Sequence, residues 1–421
     1  MRKGGILLPV SSIPSKYGIG TFSKQAYEFV DFLESAGQSF WQILPLGPTG
    51  YGDSPYQSFS TFAGNPYYID LENLIEKGWL TKEECDACDF GSDDKYVDYE
   101  KIYLSRFKVL RIAYERSNIK DNKEFQKFKE NNAVWLEDYA LYMAVKNSFG
   151  ADTWANPELF QLDGECTPIG VAGCPPDSFS ATGQLWGNPL YKWDYHKETG
   201  YEWWMRRISY CYRLYDVVRI DHFRGFDEYY FIPYGDTTAE FGHWEKGPGY
   251  DIFKVMKEKI GKKPVIAEDL GFLTPSVIKL VKKTGYPGMK ILQFAFDSRE
   301  ESDYLPHNYT NNSVVYTGTH DNDTTVGWYE NLEKRDKSFA KRYLGIKVKK
   351  EVVWEFIRSA LSSVADTAII PMQDYLGLGT EARINIPSTL GNNWKWRLEE
   401  GQLDAELAER IRKMTKLYGR L

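Results

Sequence analysis

Residues 216–221, DVVRID, and residues 264–269, PVIAED, decide how the fold is read, because each is a short apolar run that ends in carboxylates. Strands buried on both faces look like this, as in a parallel sheet. Five more runs share the pattern: GILLPV (5–10), FWQILPL (40–46), MKILQFAF (289–296), SVVYTG (313–318) and TAIIPMQ (367–373). Amphipathic stretches lie between several of them. Residues 24–36 put Ala26, Phe29, Val30 and Leu33 on one face, follow a Ser23 cap and stop at Gly37. Residues 251–260, 275–283 and 351–364 behave similarly. Strand, loop and helix alternating in this way predict an α/β fold, and the length favours a TIM-type (β/α)8 barrel over an open sheet. No GxGxxG or GxxxxGK[ST] nucleotide fingerprint occurs.

Seven strands are legible where such a barrel needs eight. Leu46 and Asp216 are 170 residues apart, and the interval holds a loop-rich block (47–69), a helical block (101–149) and a Gly/Pro-rich block (156–189). The helical block offers Tyr103, Phe107, Leu110 and Ile112 as its apolar positions. Nothing in the interval reads as a buried strand. We therefore expect a single catalytic barrel domain over 1–421 with an insertion region at 47–215.

Of the 421 residues, 42% are hydrophobic and 26% charged, which excludes a disordered or fibrous chain. A net charge of −7 gives no attraction to phosphate backbones or anionic membranes, so neither is an expected partner. Thirteen Trp, 30 Tyr and 23 Phe suit both core filling and stacking on sugar rings. The N-terminal apolar run is too short for a secretory signal, and a cytoplasmic protein is expected. Five cysteines, with a lone CxxC at Cys85 and Cys88 among acidic neighbours, read as structural thiols. No HExxH occurs, and no metal or cofactor is expected.

The C-terminal ends of parallel strands face a barrel's active site. Three of them carry carboxylates: Asp221 after Arg219, Glu268 with Asp269, and Asp321 after His320. Carboxylates gathered without a metal-ligand pattern suit glycosidic-bond chemistry, with one as nucleophile and another as acid. Arg219, two residues before Asp221 on the same strand face, would hold it ionised. Spacing leaves Glu268 and Asp269 both open as the acid.

The motifs GILLPVSSIPSKYGIG, WQILPLGPTGYGDSPYQSFSTFAGNPYYID, ADTWANPELFQLD, PPDSFSATGQLWGNPLYKW, VVRIDHFRGF, VIAEDLG, YTGTHDNDTT and IIPMQDYLGLGTEARINIPS resemble those of the amylomaltases, the 4-α-glucanotransferases of glycoside hydrolase family 77. The resemblance runs from residue 4 to about residue 400. It implies retaining transfer of α-1,4-glucan segments between maltooligosaccharides on a (β/α)8 barrel. By motif, Asp221 resembles the nucleophile, Glu268 the acid/base and Asp321 the third carboxylate, with Arg219, His320 and Asn322 beside the same sugar. Tyr56 resembles the aromatic platform at the cleavage point, next to Asp53 and Ser54. Residues 175–189 resemble a lid loop with Phe179 and Trp186 as stacking rings and Gly183 and Gly187 as pivots. Where the family commonly has an aromatic pair, this chain has Ser178 and Phe179.

The larger departure is at Gly150–Ala151, where the family continues for some 70 residues that include the third barrel strand. The resemblance thus implies a barrel lacking that strand. Two alternatives to transfer stay open: hydrolysis of α-glucans on the same machinery, and a non-catalytic glucan-binding relic.

Overall fold

The structure, a computed structural model, describes residues 2–421 except Tyr51, 150–155, 177–179 and Phe272, with backbone alone for 147–149. Its strands are β1 (Lys3–Leu7), β2 (Phe40–Gln42), β3 (Gly170–Cys174), β4 (Gln184–Pro189), β5 (Val218–Ile220), β6 (Glu228–Pro233), β7 (His243–Lys246), β8 (Val265–Ala267), β9 (Gly288–Ile291), β10 (Ser313–Tyr316) and β11 (Thr367–Pro371). Each of the seven expected runs overlaps a strand that is shorter than the run, and β1 and β9 begin before theirs. The chain forms two units, one of residues 1–59, 64–128 and 290–421, the other of 60–63 and 129–289. The boundary falls inside β9.

In the first unit β1 pairs in parallel with β2 on one side and β11 on the other, and β10 pairs in parallel with β11. Gly5 permits this double pairing: a Cβ there would meet the Ile369 side chain at 2.6 Å and Phe40 at 2.7 Å. Ile6, Val315 and Ile370 are buried against the helix Val352–Ser362, whose Val353, Phe356, Ile357 and Ala360 recur at the helical period. Burying such a side chain stabilises by about 1.5–3 kcal/mol.

Two helices present faces the sequence reading did not give. In Lys24–Ser35 the buried residues are Ala26, Phe29, Phe32 and Leu33, while Val30 is 48% exposed. The arc centres on Phe29, and Val30, about 100° further round, falls outside it. Ser23 holds the N-cap position but its hydroxyl bonds Ser15 Oγ at 2.9 Å instead of the helix end. The helical block divides into Tyr99–Arg116 and Lys123–Phe149, parted at Asn118, which is left-handed at φ 48°. Tyr103 and Phe107 face solvent; Ile102, Arg106, Val109 and Ala113 face the core. A buried arginine hid this face, for Arg106 reaches inward to the carbonyls of Tyr17 and Ile69.

In the second unit β5 pairs with β8 in parallel, Ile220 opposite Ala267, and Ala267 of β8 opposes Gly288 of β9. A separate antiparallel sheet has the order β4-β3-β6-β7. None of its strands was expected. GVAGC carries neither a continuous apolar run nor clean alternation, while EYYFIP holds the four-residue run YYFI between a charge and a proline. The second half of segment 175–189 is β4. Trp204, Met205, Phe223, Phe226, Phe253 and Met256 form this unit's core.

The C-terminus of the chain is clamped by Arg420, fully buried, whose guanidinium donates to the carbonyls of Leu361, Lys3, Asp366, Ser363 and Ala365. It thereby satisfies the last turn of the helix Val352–Ser362, where the backbone dipole favours a cation. Replacing Arg420 by Met strands these acceptors, and equilibrium denaturation should register a loss of about 2–4 kcal/mol.

Candidate active site

Each unit holds one cluster of the residues singled out from the sequence. In the second unit the β5–β8 register continues one step past the strands, because the Glu268 N–H donates to Ile220 O at 3.0 Å and the Phe223 N–H to Glu268 O at 3.0 Å. Asp221 and Glu268 therefore leave neighbouring strands side by side. Arg219 Nη1 donates to Asp221 Oδ1 at 2.6 Å, and its Nε meets Met289 Sδ at 3.3 Å. The guanidinium is nearly buried while the Asp221 carboxylate is 53% exposed, so the arginine is the fixed partner and the acid faces outward.

Both oxygens of Glu268 are anchored by main chain: Oε2 accepts from the His222 N–H at 2.6 Å and Oε1 from the Leu270 N–H at 3.0 Å. Each oxygen keeps a second lone pair for a proton or a ligand. Asp269 is engaged elsewhere. Its Oδ1 accepts from the Met289 N–H at 2.8 Å, and it lies so close over Gly288 that a Cβ there would come within 2.3 Å of Oδ2. Asp269 thus ties β8 to β9, which leaves Glu268 as the carboxylate standing beside Asp221. Trp186, on β4, packs its ring edge to face on His222 with centroids 4.8 Å apart.

In the first unit Asp321 follows β10 on the loop 317–324. Asn385 Nδ2 donates to its Oδ1 at 2.6 Å, His320 Nε2 lies 3.2 Å from its Oδ2, and Arg383 holds its backbone carbonyl at 2.7 Å. Asn322 closes the loop, its Oδ1 accepting from the N–H and hydroxyl of Thr319. Behind the loop, buried Asp374 accepts from the Thr317 hydroxyl at 2.5 Å and from the N–H and hydroxyl of Thr325 at 2.8 and 2.7 Å.

Tyr56 stacks on the His320 ring at 5.1 Å and 13°, and Trp394 closes on both rings. Ser54 Oγ accepts from the Tyr56 N–H at 3.3 Å. Asp53, left-handed at φ 58°, lines a pocket with Ser11, Tyr67, Tyr68, Tyr99 and Trp394. Burial pushes its carboxyl up to about 6, with Lys395 partly offsetting the rise. Burial likewise drives the Cys85 thiol up to about 11, which suits a structural role. Phe179 lies outside the described residues, as does the Gly150–Ala151 junction.

Asn385, Arg383 and Trp394 were not singled out, and His222 was noted only as a polar residue ending its strand. His222, Arg383 and Asn385 stand inside quoted motifs, but none is a carboxylate and Trp394 lies beyond them, so only contact with Tyr56, Asp321 or Glu268 marks them.

The solved amylomaltase of Streptococcus agalactiae in complex with acarbose superposes with a TM-score of 0.95 at 36% identity, covering 100% of both chains. The fold is thus α/β and TIM-like. The family profile described as 4-alpha-glucanotransferase matches residues 8–151 and 147–404. A 4-alpha-glucanotransferase of Clostridium butyricum is 46% identical over 98% of this chain and 99% of its own length, and one of Thermus thermophilus is 41% identical over 100% and 99%. This chain belongs to the 4-α-glucanotransferase family of glycosyl-transferring enzymes.

Asp53 gives a pH test. Its folded-state carboxyl titrates above the ordinary 3.8, so the folded chain holds a proton that the unfolded chain has released between that value and about 6. Stability contributed there falls as pH rises through the window. Asp53→Asn should melt above the parent at about pH 7.5, and the gain should vanish by about pH 3.5.

Proposed function

We propose that this chain transfers α-1,4-glucan segments between maltooligosaccharides by retaining double displacement. The observation that carries the reading is the side-by-side exit of Asp221 and Glu268 from paired parallel strands. Neighbouring strands run about 4.8 Å apart, and retaining enzymes work with carboxyl groups about 5–5.5 Å apart. Asp221, paired with Arg219, attacks the anomeric carbon while Glu268 gives its proton to the departing glycosidic oxygen. Glu268 then takes the proton of the acceptor's 4-hydroxyl as that oxygen displaces Asp221.

Motif resemblance assigns Asp321 and His320 to the hydroxyls of the sugar being transferred, Tyr56 to its face, and Asp53, Ser54 and Asn322 to its surroundings. Trp186 and Phe179 are assigned to the acceptor side, where excluding water favours transfer over hydrolysis. No cofactor enters the scheme, and a cytoplasmic location accords with it; among the described residues no helix is long and apolar enough to cross a membrane. Incubation with maltotriose should yield a ladder of longer products, and Glu268→Gln should lower its turnover by about 10²–10⁴. Shorter sugars alone would mean hydrolysis.

We further infer that the chain lacks the family's third barrel strand. The Clostridium butyricum alignment runs over 483 residues against 421 here, so at least 62 of its positions face a gap in this chain. The two segments matched by the family profile adjoin at 147–151. Among the described residues β2 pairs only with β1, and β5 only with β8. On the helix Lys123–Phe149, which leads to the junction, Ala133, Val134, Ala140, Leu141, Ala144 and Val145 are exposed, Val134 at 67% and Leu141 at 65%, with Glu130 and Glu137 on the same side. A chimera carrying the relative's extra residues at 150/151 should melt higher than this chain, and an equal or lower midpoint would count against the deletion.

A further inference from the structure

We infer that His222 is a positioning residue for Glu268, acting through its main-chain N–H. The inference rests on the reading of Glu268 as acid/base.

His222 directly follows Asp221 and adopts φ 45°, ψ 54°, a left-handed conformation rare for a residue with a side chain. The peptide plane between Asp221 and His222 carries the N–H that meets Glu268 Oε2 at 2.6 Å, and the positive φ lets the chain turn away immediately after that plane, the His222 carbonyl accepting from the Gly225 N–H at 2.9 Å. A residue that resists positive φ would force this plane to rotate and carry the N–H off Glu268. One residue thus ends the strand bearing Asp221 and fixes an oxygen of Glu268.

The ring packs over the turn. It packs against Trp186 at 82° between planes, and Gly225 leaves room for it, since a Cβ there would stand 3.2 Å from His222 Cδ2. Its Nε2 is buried with no hydrogen-bond partner among the described residues. A buried polar atom left unpaired is destabilising, so packing and not hydrogen bonding keeps the ring there. The charged groups that act on it are Glu268, Asp221 and Arg224; burial outweighs the two acids and drives the ring toward its neutral form.

The test separates main chain from ring. His222→Gly and His222→Val both delete the ring, but glycine accepts positive φ and a β-branched residue resists it. With maltotriose the valine variant should lose kcat by about 100-fold, the scale set by a displaced catalytic group, while KM changes little. The glycine variant should stay at least about tenfold above it. A carboxylate that loses an N–H donor holds its proton to higher pH, so the alkaline limb of the valine variant's kcat/KM profile should move upward, and His222→Asn, which tolerates the left-handed turn, should restore it. If valine does not fold, His222→Ala replaces it and should show the same changes in smaller degree. Equal losses for glycine and valine, or an unmoved alkaline limb, would overturn the inference. Full activity in Glu268→Gln would instead overturn the reading of the site on which it rests.

Discussion

The parallel register of β5 on β8 is the constraint on which the proposed chemistry depends. Ile220 lies opposite Ala267, so the next residue on each strand is a carboxylate, and the ladder's own hydrogen bonds extend far enough to keep Asp221 and Glu268 in step. A slip of one residue would turn one of them to the opposite face. The left-handed turn at His222 then ends β5 and returns an N–H to Glu268. Strain concentrated at that point is stabilised by the packed core of Phe223, Phe226 and Phe253 immediately after it.

The loop bearing Asp321 follows a different principle. It is held by Asp374, buried among two threonine hydroxyls and a backbone N–H. Burial raises its proton affinity, and these donors offset only part of the rise. Such a satisfied polar core resists rearrangement more than an apolar one, because no alternative packing offers the same donors. Asp53 is the opposite case, enclosed by aromatic residues with little compensation. Groups of that kind accompany binding sites at the expense of stability.

The seven parallel strands and the four helices named from periodicity were legible, since continuous apolar runs and 3.6-residue repeats directly reflect burial. Errors fell where a side chain departed from its type. Arg106 occupies the core face of its helix, Val30 faces water, and the β3, β4, β6 and β7 segments mix glycine, aromatic and charged residues in no simple alternation. Asp221, Glu268 and Asp321 were legible as carboxylates at strand ends. Trp394, Asn385 and His222 were not, because an aromatic or amide acquires a role only from what stands beside it.

By itself the sequence determined the strand runs, the carboxylates at their ends and membership of the 4-α-glucanotransferase family, all of which follow from residue type and order along the chain. Only the tertiary structure separated Glu268 from Asp269 by their surroundings. The two are adjacent in sequence with the same charge, but alternate residues of a strand face opposite ways, and the main chain of β9 claims Asp269 while Glu268 is turned toward His222.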